Sequence, residues 1–255
     1  MNGWQLKPIG FFRGSAKSKK DVARQGALSS QAGFVRLEPW VNPSQSLTKI
    51  EGFSHLWLVF GFHESQKTRS MVRPPKRPDL KVGVFASRAP YRPNHLGLSL
   101  VKFERRENHR LHLSQCDLLD LTPIFDIKPY LPEFEAVPNA TAGWTAENLE
   151  GPYQIEWAES VVEPLKFLSA HLKTDLDEYC RVQLTYFPYP TPSKRIESLG
   201  ENRYCLAHGE WRIFYEILST NDPYKLKVSL ISPALVFSDQ DFLELYFQTF
   251  AHNRF

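Results

Sequence analysis

The residues with the most chemical potential in this 255-residue chain lie between Lys81 and Asp120. Arg88 and Arg92 sit among Pro90, Pro93 and Gly97, and Asp117 and Asp120 follow further on. Proline fixes φ and glycine permits positive φ, so the loop holds one shape and its backbone aims both guanidiniums. Two aimed cations and two later carboxylates form a binding site for a polar ligand; a loop braced by ordinary surface ion pairs would carry the same residues. A second signal is basic. Between Gln66 and Arg92 lie Lys67, Arg69, Arg73, Lys76, Arg77, Lys81, Arg88 and Arg92, with Asp79 the only acid. That run suits phosphate contacts or a solvated loop. Lys17, Lys19 and Lys20 add a second cluster near the N-terminus.

Other chemistries find less support. His63, Glu64, His112, Asp117 and Asp120 match no standard ligand spacing, so no metal is expected. Cys116 has no neighbour that would activate it and reads as an inert buried thiol. Cys116, Cys180 and Cys205 form no framework, which points to reduced thiols in a cytoplasmic protein. There is no dinucleotide fingerprint, P-loop, zinc-protease helix or nucleophile elbow. Net charge is only +3, so the whole chain is not a polyanion binder. No signal-peptide core follows the N-terminus, and the apolar run from Leu56 to Phe62 is too short to span a bilayer.

Short strands must position these groups. Apolar or alternating runs predict strands at 4–12, 34–38, 53–63, 82–86, 98–103, 111–117 and 124–127. On the clearest of them, Leu56, Leu58, Phe60 and Phe62 face one way and His55, Trp57, Val59, Gly61 and His63 the other. Many short strands with Gly and Pro corners predict a closed or nearly closed β-barrel, complete by about residue 135. Residues 136–151 read as a linker. Beyond it, Val161, Leu165, Leu168, Leu172, Leu176 and Tyr179 predict one amphipathic helix with Pro164 in its first turn or so. Strands follow near 203–207, 210–218 and 224–231, then a short helix over 241–250. The expected fold is a mainly β N-terminal barrel over 1–145 and a smaller α+β domain over 146–255.

One family carries these pieces in this order. They are Pro8-Ile-Gly10, Arg24-Gln25, Phe53-Ser-His-Leu-Trp57, Val72-Arg-Pro-Pro75, Gly83-Val-Phe-Ala-Ser-Arg88, Arg92-Pro-Asn94, Leu96-Gly-Leu-Ser99, Asp117-Leu-Leu-Asp120, Thr122-Pro123 and Asp126-Ile-Lys-Pro-Tyr130. In them the chain resembles the TrmO (TsaA-like, YaeB-like) family of S-adenosylmethionine-dependent methyltransferases, which are built on a β-barrel. The second half resembles that family's smaller domain more weakly, through Tyr204-Cys-Leu and Trp211-Arg-Ile. The resemblance implies methyl transfer to N6 of N6-threonylcarbamoyladenosine beside the tRNA anticodon, by a homodimer. It also implies cofactor contacts at Ala23, Arg24, Gln25, His63, Glu64, Arg88, Leu98, Asp117, Leu118, Leu119 and Asp120. Contacts to the tRNA anticodon loop fall to Lys17, Lys19, Lys20, Lys67, Arg69, Arg73 and Arg92. His55, His63 and Asp120 are the candidates for a base that takes the N6 proton. A non-catalytic module that binds S-adenosylmethionine or RNA is the alternative function, and another methyl acceptor is a third.

The chain departs from the family pattern in places. Ala23 replaces a proline, and Glu64 a glutamine. The family's Asp-Gly-Thr-Pro is Asp120-Leu-Thr-Pro123 here, and leucine tolerates positive φ poorly. An Asp-Pro-Arg-Pro loop of the second domain is Phe187-Pro-Tyr-Pro190, so its aromatics either stack on RNA or pack inward.

Overall fold

The computed structural model describes residues 5–19, 21–23, 25–65, 67–74, 77, 79–146, 151–171, 175–191, 194–234 and 240–250. Lys20, Arg24, Pro75, Lys76 and Leu172, singled out above, lie outside these residues. The chain forms two compact units, Met1–Thr141 and Ala142–Phe255.

The first unit is a closed six-stranded barrel, as the strand pattern and the family resemblance predict. Its strands are β1 (Gly10–Gly14), β2 (Gly33–Leu37), β3 (His55–Gly61), β6 (Leu96–Glu107), β7 (Arg110–Ser114) and β8 (Pro123–Pro129). They run β1-β2-β7-β6-β3-β8 and close through β8 on β1, with every pairing antiparallel. The two-residue β4 (Met71–Val72) and β5 (Val82–Gly83) pair only with each other, outside the barrel. Alternation decides which way each side chain faces. Phe12, Val35, Leu56, Leu58, Val101, Leu111, Leu113 and Ile124 are all buried inside. Each such side chain contributes roughly 1.5–3 kcal/mol. Gly97 faces this core, where a Cβ would stand 2.3 Å from the Phe60 ring. Short helical turns α1 (Pro43–Ser46) and α2 (Pro132–Glu135) flank the barrel.

Several sequence expectations for this unit need correction. The expected strands 53–63 and 111–117 end at Gly61 and Ser114, which leaves His63, Cys116 and Asp117 on connections. The first strand starts at Gly10 rather than residue 4, because Pro8 has no N–H to give to a ladder. The apolar run 82–86 is a strand only at Val82 and Gly83. From Val84 it turns, held by Ser87 N–H and Oγ donating to the Val84 carbonyl at 3.2 and 2.9 Å. Val84 is buried while Phe85 is 77% exposed, so the turn points its residues in different directions and starts the Arg88 corner.

The second unit is a five-stranded sheet with helices. Its strands are β9 (Gln154–Trp157), β10 (Ile196–Gly200), β11 (Arg203–His208), β12 (Trp211–Ser219) and β13 (Lys225–Pro233), ordered β10-β11-β12-β13-β9. β9 joins parallel to β13, and neither β9 nor β10 was evident from the sequence pattern. The predicted single helix is two, α3 (Glu159–His171) and α4 (Leu176–Leu184), followed later by α5 (Gln240–Thr249). Asp175 caps α4 by accepting the Glu178 N–H at 3.0 Å, which starts a new helix where apolar spacing alone reads as continuous. Because α3 begins at Glu159, Pro164 falls inside it rather than in its first turn.

The aromatic loop after α4 packs inward. Tyr189 meets the Tyr153 hydroxyl at 2.9 Å and sits edge-on to Tyr204. Buried Lys194 donates to the carbonyls of Gln183, Tyr186 and Phe187 at 2.5, 3.1 and 2.6 Å, which fixes the loop from beneath. Among the described residues, no helix is long and apolar enough to cross a membrane.

Candidate active site

The barrel's register gathers the site. β1, β3 and β7 finish, and β2, β6 and β8 begin, at the same end. The three connections 15–32, 62–95 and 115–122 therefore emerge together. Every described candidate cofactor or RNA contact named from the sequence belongs to one of them, except Leu98, which lies two residues into β6. His55 does not join them. It begins β3, roughly 20 Å away along a seven-residue strand, where its Nδ1 lies 2.9 Å from Ser54 Oγ.

The three connections touch through specific bonds. Arg88 donates to Gln25 Oε1 at 2.6 Å. Arg92 donates to the carbonyls of Val84 and Ser87 at 3.1 and 2.8 Å, and so braces the turn that presents Arg88. Lys19 Nζ reaches the Glu64 carbonyl at 2.5 Å. The 25–28 segment lies so close to the barrel that a Cβ on Gly26 would stand 2.6 Å from the Gln115 carbonyl oxygen. Ala23 and Leu118 are buried, while His63, Glu64, Arg88 and Leu98 are exposed to the solvent side.

The two carboxylates have opposite electrostatics. Burial pushes the Asp117 carboxyl above its ordinary value, against the pull of Ser99 and Arg88. Its Oδ1 is buried with no hydrogen-bond partner among the described residues, and the same holds for Ser65 Oγ and His95 Nδ1 in the neighbouring connection. Buried polar atoms are ordinarily paired, so three orphans at one barrel end mark a place built for a polar ligand. Partial burial would also raise Asp120, but the Lys17 ammonium, the Gly14 N–H and the Arg13 guanidinium outweigh it and lower its pKa. Arg13 Nε and Gly14 N–H bond Asp120 Oδ1 at 3.0 and 3.1 Å, and Lys17 Nζ bonds Oδ2 at 2.5 Å. Cys116 is fully buried, and burial with the neighbouring Asp117 charge pushes its thiol up to about 12, which leaves it unreactive. Among the described residues, no group of three His, Cys, Asp or Glu side chains could hold a metal.

Residues 11–136 match the tRNA-methyltransferase O N-terminal domain. The tRNA (adenine(37)-N6)-methyltransferase of Escherichia coli K12 is 34% identical over 224 residues, 84% of this chain and 94% of that one. The chain belongs to the tRNA-methyltransferase O family. A Pseudomonas aeruginosa relative, RcsF, named for a proposed S-adenosylmethionine-dependent methyltransferase activity, is 45% identical over 139 residues, 53% of this chain and 58% of that one. The crystal structure of TrmO from P. aeruginosa matches with a TM-score of 0.63 at 29% identity, covering 92% of this chain and 99% of that one.

Within this family frame, the turn that lost its glycine keeps the glycine's conformation. Leu121 has φ 63°, and its N–H donates to the Phe12 carbonyl at 2.8 Å. Thr122 ties the turn by donating its Oγ1 to the Leu119 carbonyl at 2.7 Å. His95 and Gln115, with φ 51° and 55°, are also left-handed in these connections. Such strain persists where surrounding bonds over-determine it. Leu121→Gly should therefore stabilise the protein by about 0.5–1 kcal/mol, read as a higher denaturant midpoint at unchanged slope. A lower midpoint would show that the exposed leucine side chain contributes more than its backbone costs.

The sequence pattern missed Gln31. Its Nε2 donates to the carbonyls of Cys116 and Leu118 at 2.9 and 3.0 Å, and its Oε1 accepts the Ala16 N–H at 2.8 Å. It clamps the 115–122 turn to the 15–32 connection. Nothing local in Ser-Ser-Gln-Ala-Gly announces that role.

Proposed function

We propose that this protein transfers a methyl group from S-adenosylmethionine to N6 of an adenine in tRNA. The adenine is N6-threonylcarbamoyladenosine beside the anticodon, and the protein works as a cytoplasmic homodimer without a metal. The observation that carries the reading is the joining of Gln25, Arg88 and Asp117 at one barrel end in a chain of this family. The residues fit the cofactor. Arg88 offers a guanidinium for the methionine carboxylate. The orphaned Asp117 Oδ1 wants a donor, which the ribose hydroxyls or adenine amine provide. When bound, S-adenosylmethionine supplies an activated methyl group for attack by the adenine nitrogen.

The chain's own work is placement and proton removal. Arg88, aimed by Gln25 and by the Arg92-braced turn, fixes one end of the cofactor, and Asp117 the other. Placement supplies much of the acceleration of an in-line displacement. The acceptor nitrogen is conjugated to a purine and a carbamoyl group, so a base that takes its proton assists. His55 lies at the other end of β3, and the Asp120 carboxylate is held by two cations. His63, exposed on the 62–95 connection, takes that proton. Lys19, Lys67, Arg69 and Arg73 face solvent around the same end and hold tRNA phosphates.

Purified protein with labelled S-adenosylmethionine should methylate tRNA that carries the threonylcarbamoyl group and release S-adenosylhomocysteine. Tight cofactor binding without turnover would reject the enzyme in favour of a sensor.

A further inference from the structure

A trough of about 730 Å³ runs along the outer wall of the barrel over β1, β2 and β7, and opens at Asp120 onto the loop end described above. Its floor is a lattice of aromatic rings and guanidiniums set by strand register. In one row Phe11 stands opposite Arg36, and Arg36 opposite Arg110. In the next, Arg13 stands opposite Phe34, and Phe34 opposite His112. The Arg110 guanidinium lies 5.0 Å from the centre of the Phe34 ring.

The charge of this wall is unbalanced. Asp120 is already bonded to Arg13 and Lys17, and Glu38 is the other acid of the trough. Neither Arg36 nor Arg110 makes an ion pair among the described residues. Like charges directly opposite on neighbouring strands repel, and an anion lying between them removes that repulsion. Flat rings alternating with cations on an open sheet suit a chain of unpaired bases, whose faces are free to stack while their phosphates meet guanidiniums. A base-paired helix hides those faces.

We infer that this trough carries a single-stranded segment of the tRNA, with bases on Phe11 and on the stack that Arg110 makes over Phe34, and phosphates at Arg36 and at the edge of Arg110. The inference rests on the tRNA substrate proposed above, and it adds the path by which the strand reaches the loop end.

Fluorescence anisotropy with labelled tRNA transcript and labelled oligouridylate tests it on the full chain. The double variant Arg36→Gln with Arg110→Gln should weaken both RNAs. It should also flatten the log–log dependence of affinity on salt by about 1.4, two phosphate contacts at about 0.7 each on a single strand. Phe34→Leu should weaken both by roughly tenfold with the salt slope unchanged. S-adenosylmethionine affinity should stay as in the wild type in all variants. Variants that bind both RNAs as the wild type does, or that change only in self-association, would overturn the assignment. Should a variant fail to fold, ultraviolet crosslinking of the unaltered protein to 4-thiouridine oligonucleotide decides. Crosslinks at Phe11 or Phe34 support the trough, and crosslinks confined elsewhere reject it. RNA binding lost in the variants while the wild type shows no methyl transfer would sink the proposed reaction and leave the trough standing. Wild-type turnover with indifferent variants would do the reverse.

Discussion

Arg88→Ala should weaken S-adenosylmethionine binding by about a hundredfold or more. A hydrogen bond to a charged partner contributes about 1.5–3 kcal/mol, and a guanidinium offers a carboxylate two in parallel. Losing both is worth at least about 3 kcal/mol, which exceeds two decades of affinity. The substitution also frees Gln25, whose Oε1 now accepts from Arg88 at 2.6 Å. Arg88 is exposed, so stability should move by no more than about 0.5 kcal/mol. Arg88→Lys keeps the charge but not the planar fork, and should recover only part of the loss. Calorimetric titration of the cofactor reads the effect. Wild-type affinity in Arg88→Ala would place the cofactor carboxylate elsewhere and end the proposed site.

Asp117→Asn should act with opposite signs on stability and binding. Burial holds the folded-state pKa of Asp117 above its unfolded value. Its contribution to stability is then fully present below the unfolded pKa, near 3.9, and is lost as pH rises through the raised folded pKa. At neutral pH the ionised, partly orphaned carboxylate is a cost. Removing the charge should raise the melting temperature by roughly 3–4 °C at pH 7, the shift that about 1 kcal/mol brings in a unit of this size. The gain should fade toward pH 4. Cofactor affinity should fall by about tenfold to a hundredfold, because a charged acceptor is lost. Thermal melts across pH, beside titrations of the same variant, separate the two effects. A variant that melts lower and binds as before would show that Asp117 serves the fold and not the ligand.

The loop that presents Arg88 shows where local reading stops. Its prolines predict a stiff corner, and the corner exists. Yet Val82–Ala86 turns after two strand residues because Ser87 and Arg92 claim the Val84 carbonyl. Both partners are close in sequence, but apolar periodicity does not register them. Asp175 breaks the predicted helix in the same way, through one side-chain bond to Glu178 N–H that hydrophobic spacing cannot express. Gln31 was missed because its partners are remote in sequence: Ala16 lies 15 residues back in the same connection, and Cys116 and Leu118 come from another.

From the amino-acid order alone came the alternation that closes the barrel, the switch to an α+β second unit, and the motifs that mark the family. Each is a local pattern, since burial on one face of a strand repeats every second residue and is written directly in the chain. Only the tertiary structure decided which candidates meet. Antiparallel register placed the three connections at one end and left His55 at the other. It gave the Asp120 carboxylate to Arg13 and Lys17, more than a hundred residues away, and left Asp117 short of partners. It held Leu121 in a conformation that its side chain disfavours, and it ordered Phe11, Phe34, Arg36 and Arg110 into one lattice. The physical reason is common to all of these. They are set by contacts between segments far apart in sequence, and such contacts exist only once the barrel has closed.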